Sequence, residues 1–139
     1  MDYKKLQNGS DIRGVALEGI EGQHVNLTEK VCRDIGRGFA LWLIDKKGKT
    51  NLNVAVGRDS RLSGEKLSAW ICSSMVESGL NVTDFGMAST PAMFMATVTE
   101  GYNFDGTIMI TASHLPFNRN GFKFFTSLGG LEKEDIKQI

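Results

Sequence analysis

The sequence predicts a three-layer α/β/α domain built on a mixed, mostly parallel sheet of about four strands. Short apolar, strand-like runs alternate with helix-like segments of ten or more residues, which is the pattern of layered α/β proteins. The last two strand-like runs are joined by residues 112–120 alone. Because this connection is too short for a helical crossover, we expect the last strand to be antiparallel to its predecessor.

The first half of the chain contains an extended segment, a long helix and a buried strand. Residues 11–17 follow a turn at Asn8-Gly9 and can be extended. From Thr28 to about Lys46 an apolar residue recurs every fourth position, which predicts an amphipathic helix that Thr28 caps and Gly48 ends. The following run, residues 53–56, is apolar enough for a buried strand.

The second half continues the alternation. Ser63 is placed to cap a second helix, which Gly79 ends, and Pro91 suits the first turn of a third helix reaching about Tyr102. The predicted strands here are residues 81–85 (ended by Gly86), 106–111 and 121–126, and residues 131–139 look like a helix that has only begun. The predicted organisation is therefore a domain over residues 1–130, followed at 131–139 by the start of a further helix.

Composition excludes several classes of protein. The 139 residues fit one domain, and 16 acidic against 16 basic residues give a net charge of zero. This balance argues against a general binder of nucleic acid or of anionic membranes, which needs excess Lys and Arg. Cys32 and Cys72 each lie in an apolar helical segment and are predicted to be free, buried thiols. Without a signal-peptide core or a membrane-length apolar run, the sequence indicates a cytoplasmic protein.

Several chemical motifs are incomplete. Gly48-Lys49-Thr50 resembles the end of a phosphate-binding loop, but Leu43 stands where that loop needs glycine. Thr111 and Leu115 likewise replace the glycines of a hydrolase nucleophile elbow around Ser113. The sequence holds no His-Glu-x-x-His motif either, so it offers no complete metal site of its own.

A hydroxyl and several cations follow the ends of predicted strands. Ser113 comes directly after an apolar run, at a turn, and the basic residues Arg13, Arg58, Arg61 and Lys123 lie in strand-end or loop segments. Each cation alone is compatible with a surface charge, and Arg58 or Arg61 with a loop-holding ion pair to Asp59 or Asp84. Because an α/β domain brings such segments to one edge of its sheet, we expect a hydroxyl surrounded by cations, which is what phosphoryl transfer needs.

The motifs resemble the first domain of the α-D-phosphohexomutases, the phosphoglucomutase/phosphomannomutase family. The segments Thr111-Ala-Ser-His114, Pro116 and Asn120-Gly-Phe-Lys123 resemble the phosphoserine loop of the family. Three further segments match in the same order: Asp11-Ile-Arg-Gly14, Val56-Gly-Arg-Asp-Ser-Arg61, and Asp84-Phe-Gly86 with Thr90-Pro91. Leu115 and Ser10 depart from the family pattern, which commonly has asparagine and an aromatic residue there. These departures leave substrate preference and loop rigidity open.

The resemblance implies a mechanism and a set of site residues. Ser113 would carry a phosphoryl group and exchange it with a hexose phosphate through a hexose bisphosphate, interconverting the 1- and 6-phosphates of glucose or mannose. Lys123 and Arg13 would assist proton transfer or stabilise charge, and His114 would orient the loop or its phosphate, or simply make a turn hydrogen bond. The implied loop-supporting residues are Asp11, Arg58, Asp59, Arg61, Asn120 and Gly121.

The resemblance also implies what lies outside this chain. Family enzymes have four domains and use Mg²⁺, which would bind the phosphate on Ser113 and take its other ligands from elsewhere. We therefore expect a fragment of a longer enzyme, inactive alone, in which the helix begun at residues 131–139 leads towards a second domain. Its partners would be the other domains of the same polypeptide. The alternatives are a phosphoglucosamine mutase, a sugar-bisphosphate synthase or, from another class, a stand-alone module that binds phosphate or a partner and uses Ser113 as a regulatory phosphosite.

Overall fold

The computed structural model describes residues 2–139 and places one mixed sheet between helices. The strands are β1 (Gln7–Asn8), β2 (Asp11–Val15), β3 (Asn53–Arg58), β4 (Asn81–Met87), β5 (Gly106–Ile110), β6 (Arg119–Thr126) and β7 (Gly129–Gly130). The helices are α1 (Glu29–Lys47), α2 (Gly64–Glu77), α3 (Thr90–Val98) and α4 (Lys133–Gln138), preceded by a 3₁₀ turn over Tyr3–Leu6.

The sheet has the order β1-β2-β6-β5-β3-β4, and β7 pairs with the C-terminal end of β6. Strands β3, β4 and β5 are parallel and β6 is antiparallel to β5, as predicted. The predicted number of about four strands is wrong, because residues 2–139 form a sheet of seven. Two of the additional strands, β1 and β7, have two residues each and are too short to leave a periodic signal. The third, β2, is the segment predicted only as extended.

Helices cover both faces of the sheet, which confirms the three layers. Helices α1 and α2 pack on one face over the main core, where Phe39, Phe122 and Phe124 are fully buried. Helix α3 covers the other face, where Met93 packs with a smaller core cluster that includes Phe125. Ile136 of α4 belongs to the main core, and the Gln7 side-chain amide donates to the carbonyl oxygen of Lys133 at 2.9 Å. That residues 131–139 lead into another domain stays a prediction.

The helix ends follow the sequence signals in α1 and differ in α3. The hydroxyl of Thr28 accepts from the amide of Val31, and Gly48 ends α1 in the left-handed conformation at φ +66°. The predicted end of α3 at about Tyr102 is wrong, since the helix stops at Val98. Gly101 and Asn103 then take positive φ values of 89° and 42°, which turn the chain back towards β5.

Two other predictions need correction. Strand β4 does not end before Gly86 but continues to Met87, because a bulge in its pairing with β3 absorbs the irregular backbone. Cys32 is fully buried as predicted, whereas Cys72 is only half-buried; both are free. Within residues 2–139, none of the helices combines the length and apolar character that a bilayer crossing needs.

Candidate active site

Ser113 lies just beyond the carboxyl end of β5, in a turn that leads to β6. Its backbone is left-handed, with φ +54°, although it is not a glycine. Its side chain is exposed, and within residues 2–139 its hydroxyl makes no hydrogen bond, while its backbone N–H and C=O are both engaged. Strained non-glycine residues of this kind are concentrated at functional sites.

The guanidinium of Arg61 binds carbonyl groups of the turn that contains Ser113. Its Nη2 donates to the carbonyl oxygens of Ser113 at 2.7 Å and Leu115 at 2.8 Å. Its Nη1 donates to those of Pro116 at 2.8 Å and Arg119 at 3.1 Å. The side chain is 13% exposed, so a nearly buried guanidinium ties the loop 113–119 to the end of β3.

Asp59 and Thr111 hold the same turn from its amide side. Thr111 Oγ1 donates to Asp59 Oδ2 at 2.6 Å and accepts from the amide of Ser113 at 3.0 Å. Asp59 also accepts from the amide of Arg61 at 3.1 Å. Thr111 was not singled out as a site residue in the sequence, although its position two residues before Ser113 is a signal for a hydroxyl that closes a turn.

A second charged group lies across β2 and β6. Asp11 is 7% exposed and lies opposite Lys123, whose Nζ is 2.9 Å from Oδ1 of Asp11. Arg13 Nη2 donates to the other carboxylate oxygen at 3.1 Å. Because alternate strand residues share a face and Lys123 pairs with Met109, all three side chains lie on the α3 face of the sheet.

Asn120 and Gly121 set the approach of β6 to its neighbours. The Asn120 amide donates to the hydroxyl of Ser63 at 2.8 Å, and both residues are fully buried. Ser63 therefore does not cap α2 with its side chain as predicted. A Cβ at Gly121 would collide with the carbonyl oxygen of Ile12 and lie 3.0 Å from Cα of Arg13, so only glycine fits here beside β2.

Two sequence-predicted site residues stand apart from these groups. His114 is exposed, and Arg58 is half-buried with its side chain beside Gly64. In the described part of the chain neither side chain makes a hydrogen bond or an ion pair. Arg119, which the sequence did not single out, donates from Nε to the carbonyl oxygen of Gly14 at 3.1 Å and ties β6 to β2.

The residues at this edge of the sheet can supply at most one oxygen ligand to a hard metal ion. Within residues 2–139 there is no group of three or more His, Cys, Asp or Glu side chains that could hold a metal. Asp11 and Asp59 are already paired with cations, which leaves the oxygen of Ser113, or of a phosphate on it. Mg²⁺ prefers about six oxygen ligands, so the remainder would come from outside this chain.

The comparisons with known proteins find the family that the motifs resemble. The profile of phosphoglucomutase/phosphomannomutase, alpha/beta/alpha domain I, matches residues 4–139. A phosphoglucomutase/phosphomannomutase of Thermococcus kodakarensis is 39% identical over 94% of this chain and 26% of its own length. A phosphoglucosamine mutase of Caldicellulosiruptor saccharolyticus is 34% identical over 96% of this chain and 27% of its own.

A solved structure extends the likeness to the fold. The X-ray crystal structure of a phosphoglucomutase/phosphomannomutase family protein from Burkholderia thailandensis superposes with a TM-score of 0.76 at 30% identity, over 99% of this chain and 29% of that one. The chain thus spans about a quarter of the length of the curated relatives it matches. On its motifs, its fold and these matches, the chain belongs to the phosphoglucomutase/phosphomannomutase family and corresponds to its alpha/beta/alpha domain I.

Proposed function

We propose that Ser113 is the phosphoryl carrier of a phosphohexomutase that interconverts hexose 1-phosphate and hexose 6-phosphate. One observation carries the proposal: an exposed serine hydroxyl, which has no hydrogen-bond partner among residues 2–139, stands on a strained turn whose backbone is held on both sides. Such a hydroxyl is presented to a substrate while the chain behind it stays fixed, as a group-transfer residue requires. The mutase names of the relatives agree with this chemistry.

The proposed reaction is two transfers at the same serine oxygen. In the first, the bond from phosphorus to Ser113 Oγ breaks, a bond from phosphorus to a sugar hydroxyl oxygen forms, and one proton passes from that hydroxyl towards the serine oxygen. The product is a hexose bisphosphate. After this bisphosphate has reoriented in the site, the reverse steps return its other phosphoryl group to Ser113 and release the isomeric monophosphate.

Lys123 and Arg13 divide the remaining tasks in this proposal. A guanidinium does not give up its proton in proteins, so Arg13 stabilises charge and Lys123 assists the proton transfer. Both are anchored on Asp11, which fixes their heads on one face of the sheet beside β5. His114, exposed next to Ser113, is available to orient the phosphate. Arg58, half-buried at the end of β3, supports the neighbouring loop.

Magnesium and further domains complete the proposed enzyme. The phosphate on Ser113 would provide one ligand for Mg²⁺, which when bound neutralises charge between the donor and acceptor oxygens. Since the chain spans about a quarter of its relatives, we propose that further domains of the same polypeptide supply the other ligands and the walls of the sugar site. We place this enzyme in the cytoplasm, and glucose or mannose phosphates are its proposed substrates, with glucosamine phosphate as the alternative.

Peptide mapping and activity of the protein that contains this domain test the proposal. We expect phosphate on Ser113 in the purified protein, no turnover in Ser113→Ala, and normal turnover in Ser127→Ala, which changes an exposed serine at a distant turn. Glucose, mannose and glucosamine 1-phosphates assayed in parallel, each with its bisphosphate, identify the sugar. Full activity in Ser113→Ala, with phosphate on another residue, would refute the assignment. Phosphate on Ser113 without any mutase activity would favour a regulatory phosphosite.

A further inference from the structure

We infer that Arg61, Asp59 and Thr111 are positioning residues that hold Ser113 in its left-handed conformation before substrate arrives. The consequence for catalysis rests on the proposed function, whereas the conformational part does not. Non-glycine residues rarely adopt φ near +54° unless the surrounding structure imposes it. At Ser113 the contacts with its neighbours impose this conformation.

These contacts form a closed circuit, here called the Ser113 ring, which consists of Arg61, Asp59, Thr111 and Ser113. The amide of Ser113 donates to Thr111 Oγ1 at 3.0 Å, and that hydroxyl donates to Asp59 Oδ2 at 2.6 Å. Asp59 Oδ2 faces Arg61 Nε at 3.5 Å, and Arg61 Nη2 donates to the carbonyl oxygen of Ser113 at 2.7 Å. Both peptide groups of Ser113 are thus bound, and its side chain is left free.

Arg61 acts through the backbone and not on a phosphate. The N–H groups of its Nη1 and Nη2 are directed at four carbonyl oxygens of the loop. Its Nε is buried and faces the carboxylate of Asp59. The four carbonyl oxygens occupy its Nη groups, and its Nε–H, which has no hydrogen-bond partner within residues 2–139, is buried, so no exposed donor of this guanidinium is left to bind a phosphate.

Thr111 is the member of the ring whose contribution can be removed with the least change of volume. It is 9% exposed, and its hydroxyl accepts the amide of Ser113 while it donates to Asp59. Valine keeps the branched shape and lacks the hydroxyl, whereas serine keeps the hydroxyl and loses only a methyl group. Thr111→Val opens the ring, and Thr111→Ser leaves it closed.

An open ring is expected to lower kcat and to leave KM nearly unchanged. Arg61, Asp59 and Thr111 contact Ser113 through its backbone and not through its hydroxyl, so we expect substrate binding to depend little on these contacts. A reacting atom displaced by about 1 Å costs about 100-fold in rate. We therefore expect kcat of Thr111→Val to fall about 100-fold while KM for hexose phosphate stays within about twofold, and Thr111→Ser to recover most of the loss.

Hydrogen exchange of the protein tests the ring independently of activity. In Thr111→Val we expect the amides of residues 112–119 to exchange at least about tenfold faster than in Thr111→Ser, with the rest of the domain unchanged. Thr83→Val, at an exposed position on edge strand β4, is the neutral control. If Thr111→Val does not fold, Asp59→Asn takes its place, because it removes the charge that faces both Arg61 and Thr111 at nearly constant volume.

The two failures are distinguishable. Equal exchange in Thr111→Val and Thr111→Ser, or equal kcat in both, would overturn the inference even if Ser113 carries phosphate. If Ser113 carries no phosphate in the wild type, the proposed function fails, while faster exchange in Thr111→Val still supports the ring. A rise in KM at constant kcat would also overturn the inference, since it would place Thr111 in substrate binding.

Discussion

Lys123 lies 2.9 Å from Asp11 across two neighbouring antiparallel strands, and Arg13 binds the other oxygen of the same carboxylate. The Asp11 side chain is 10% exposed, so these two cations and not water compensate most of the charge of its carboxylate. The three residues form one charged unit on the α3 face of the sheet, where Lys123 pairs with Met109 of β5.

Replacement of Asp11 by asparagine should destabilise the domain. It would leave two cations facing each other over a neutral amide, and breaking a buried pair from one side costs about 3–5 kcal/mol. Because Lys123 and Arg13 are 29% and 17% exposed, water screens part of this cost. We expect a loss of about 2 kcal/mol in the free energy of unfolding, measured in urea.

Asp45→Asn is the matched control for this variant. Asp45 is exposed near the end of α1 and makes no ion pair or side-chain hydrogen bond within residues 2–139. Its midpoint of unfolding should stay near that of the wild type. If both variants unfold at the same urea concentration, the Asp11 unit has no special role in stability.

Gly121→Ala should loosen the contact between β2 and β6. The added Cβ meets backbone atoms of Ile12 and Arg13, which cannot rotate away as a side chain can. Overpacking of this kind costs about 1–3 kcal/mol. Thermal unfolding should show the loss in Gly121→Ala, and not in Gly130→Ala, where the nearest atom to the added Cβ is 3.7 Å away. A wild-type melting temperature in Gly121→Ala would contradict the close approach of the strands.

Arg61→Lys should not preserve the loop. A lysine ammonium has three donors at one point and cannot reach four carbonyl oxygens that a planar guanidinium spans. We expect a loss of about 1.5–3 kcal/mol, the range for hydrogen bonds to charged groups. Arg37→Lys, on an exposed face of α1, controls for the general effect of the exchange. Equal stability of the two variants would be evidence that the hydrogen bonds from Arg61 do not stabilise the loop 113–119.

The two thiols should differ in reactivity. Burial raises the pKa of the Cys32 thiol from 9.0 to about 12, and it also raises the pKa of half-buried Cys72. A disulfide-exchange reagent at pH 8 should therefore modify Cys72 first in the native protein and find two thiols after denaturation. Since the folded pKa of Cys32 lies above the unfolded one, its contribution to stability is complete below pH 9.0 and is lost as the pH rises towards about 12. Faster reaction of Cys32 would contradict its burial.

The 139-residue chain alone should fold cooperatively but show negligible mutase turnover and weak Mg²⁺ binding. Its helices and strands enclose two apolar clusters, whereas it offers at most one of about six ligands for Mg²⁺ and leaves the sugar open to water. A coupled assay with glucose 1-phosphate and its bisphosphate, together with a denaturation curve, checks both statements. Turnover within about tenfold of a typical ~10 s⁻¹ would show that other domains are dispensable.

The sequence predicted the parallel centre of the sheet because strands β3 and β5 are continuous apolar runs. It did not reveal β2 as a paired strand, since Asp11 and Arg13 occupy the alternate positions where apolar residues usually mark a buried face. Register also escaped prediction. The carboxylate of Asp59 and the hydroxyl of Thr111 are 52 residues apart, and no local pattern shows that they meet.

Ser63 shows why local signals alone mislead at this site. Its position before α2 fits a helix cap, and its backbone does occupy the cap position. Its hydroxyl instead accepts from Asn120, whose fully buried amide needs a partner. A tertiary demand therefore overrides a local preference.

The order of strands in the sheet sets a sequence of events during synthesis. Strand β2 has only the two-residue β1 beside it until β6 emerges from the ribosome. At bacterial or eukaryotic translation rates the intervening stretch of roughly 100 residues takes about 5–20 s to make. During that time the edge of β2 that later pairs with β6 is unpaired, and Asp11 lacks its ion-pair partner Lys123. Strand β6, the last of the strands in the order β1-β2-β6-β5-β3-β4 to be synthesised, thus joins the two parts of the sheet and completes the charged unit in one step.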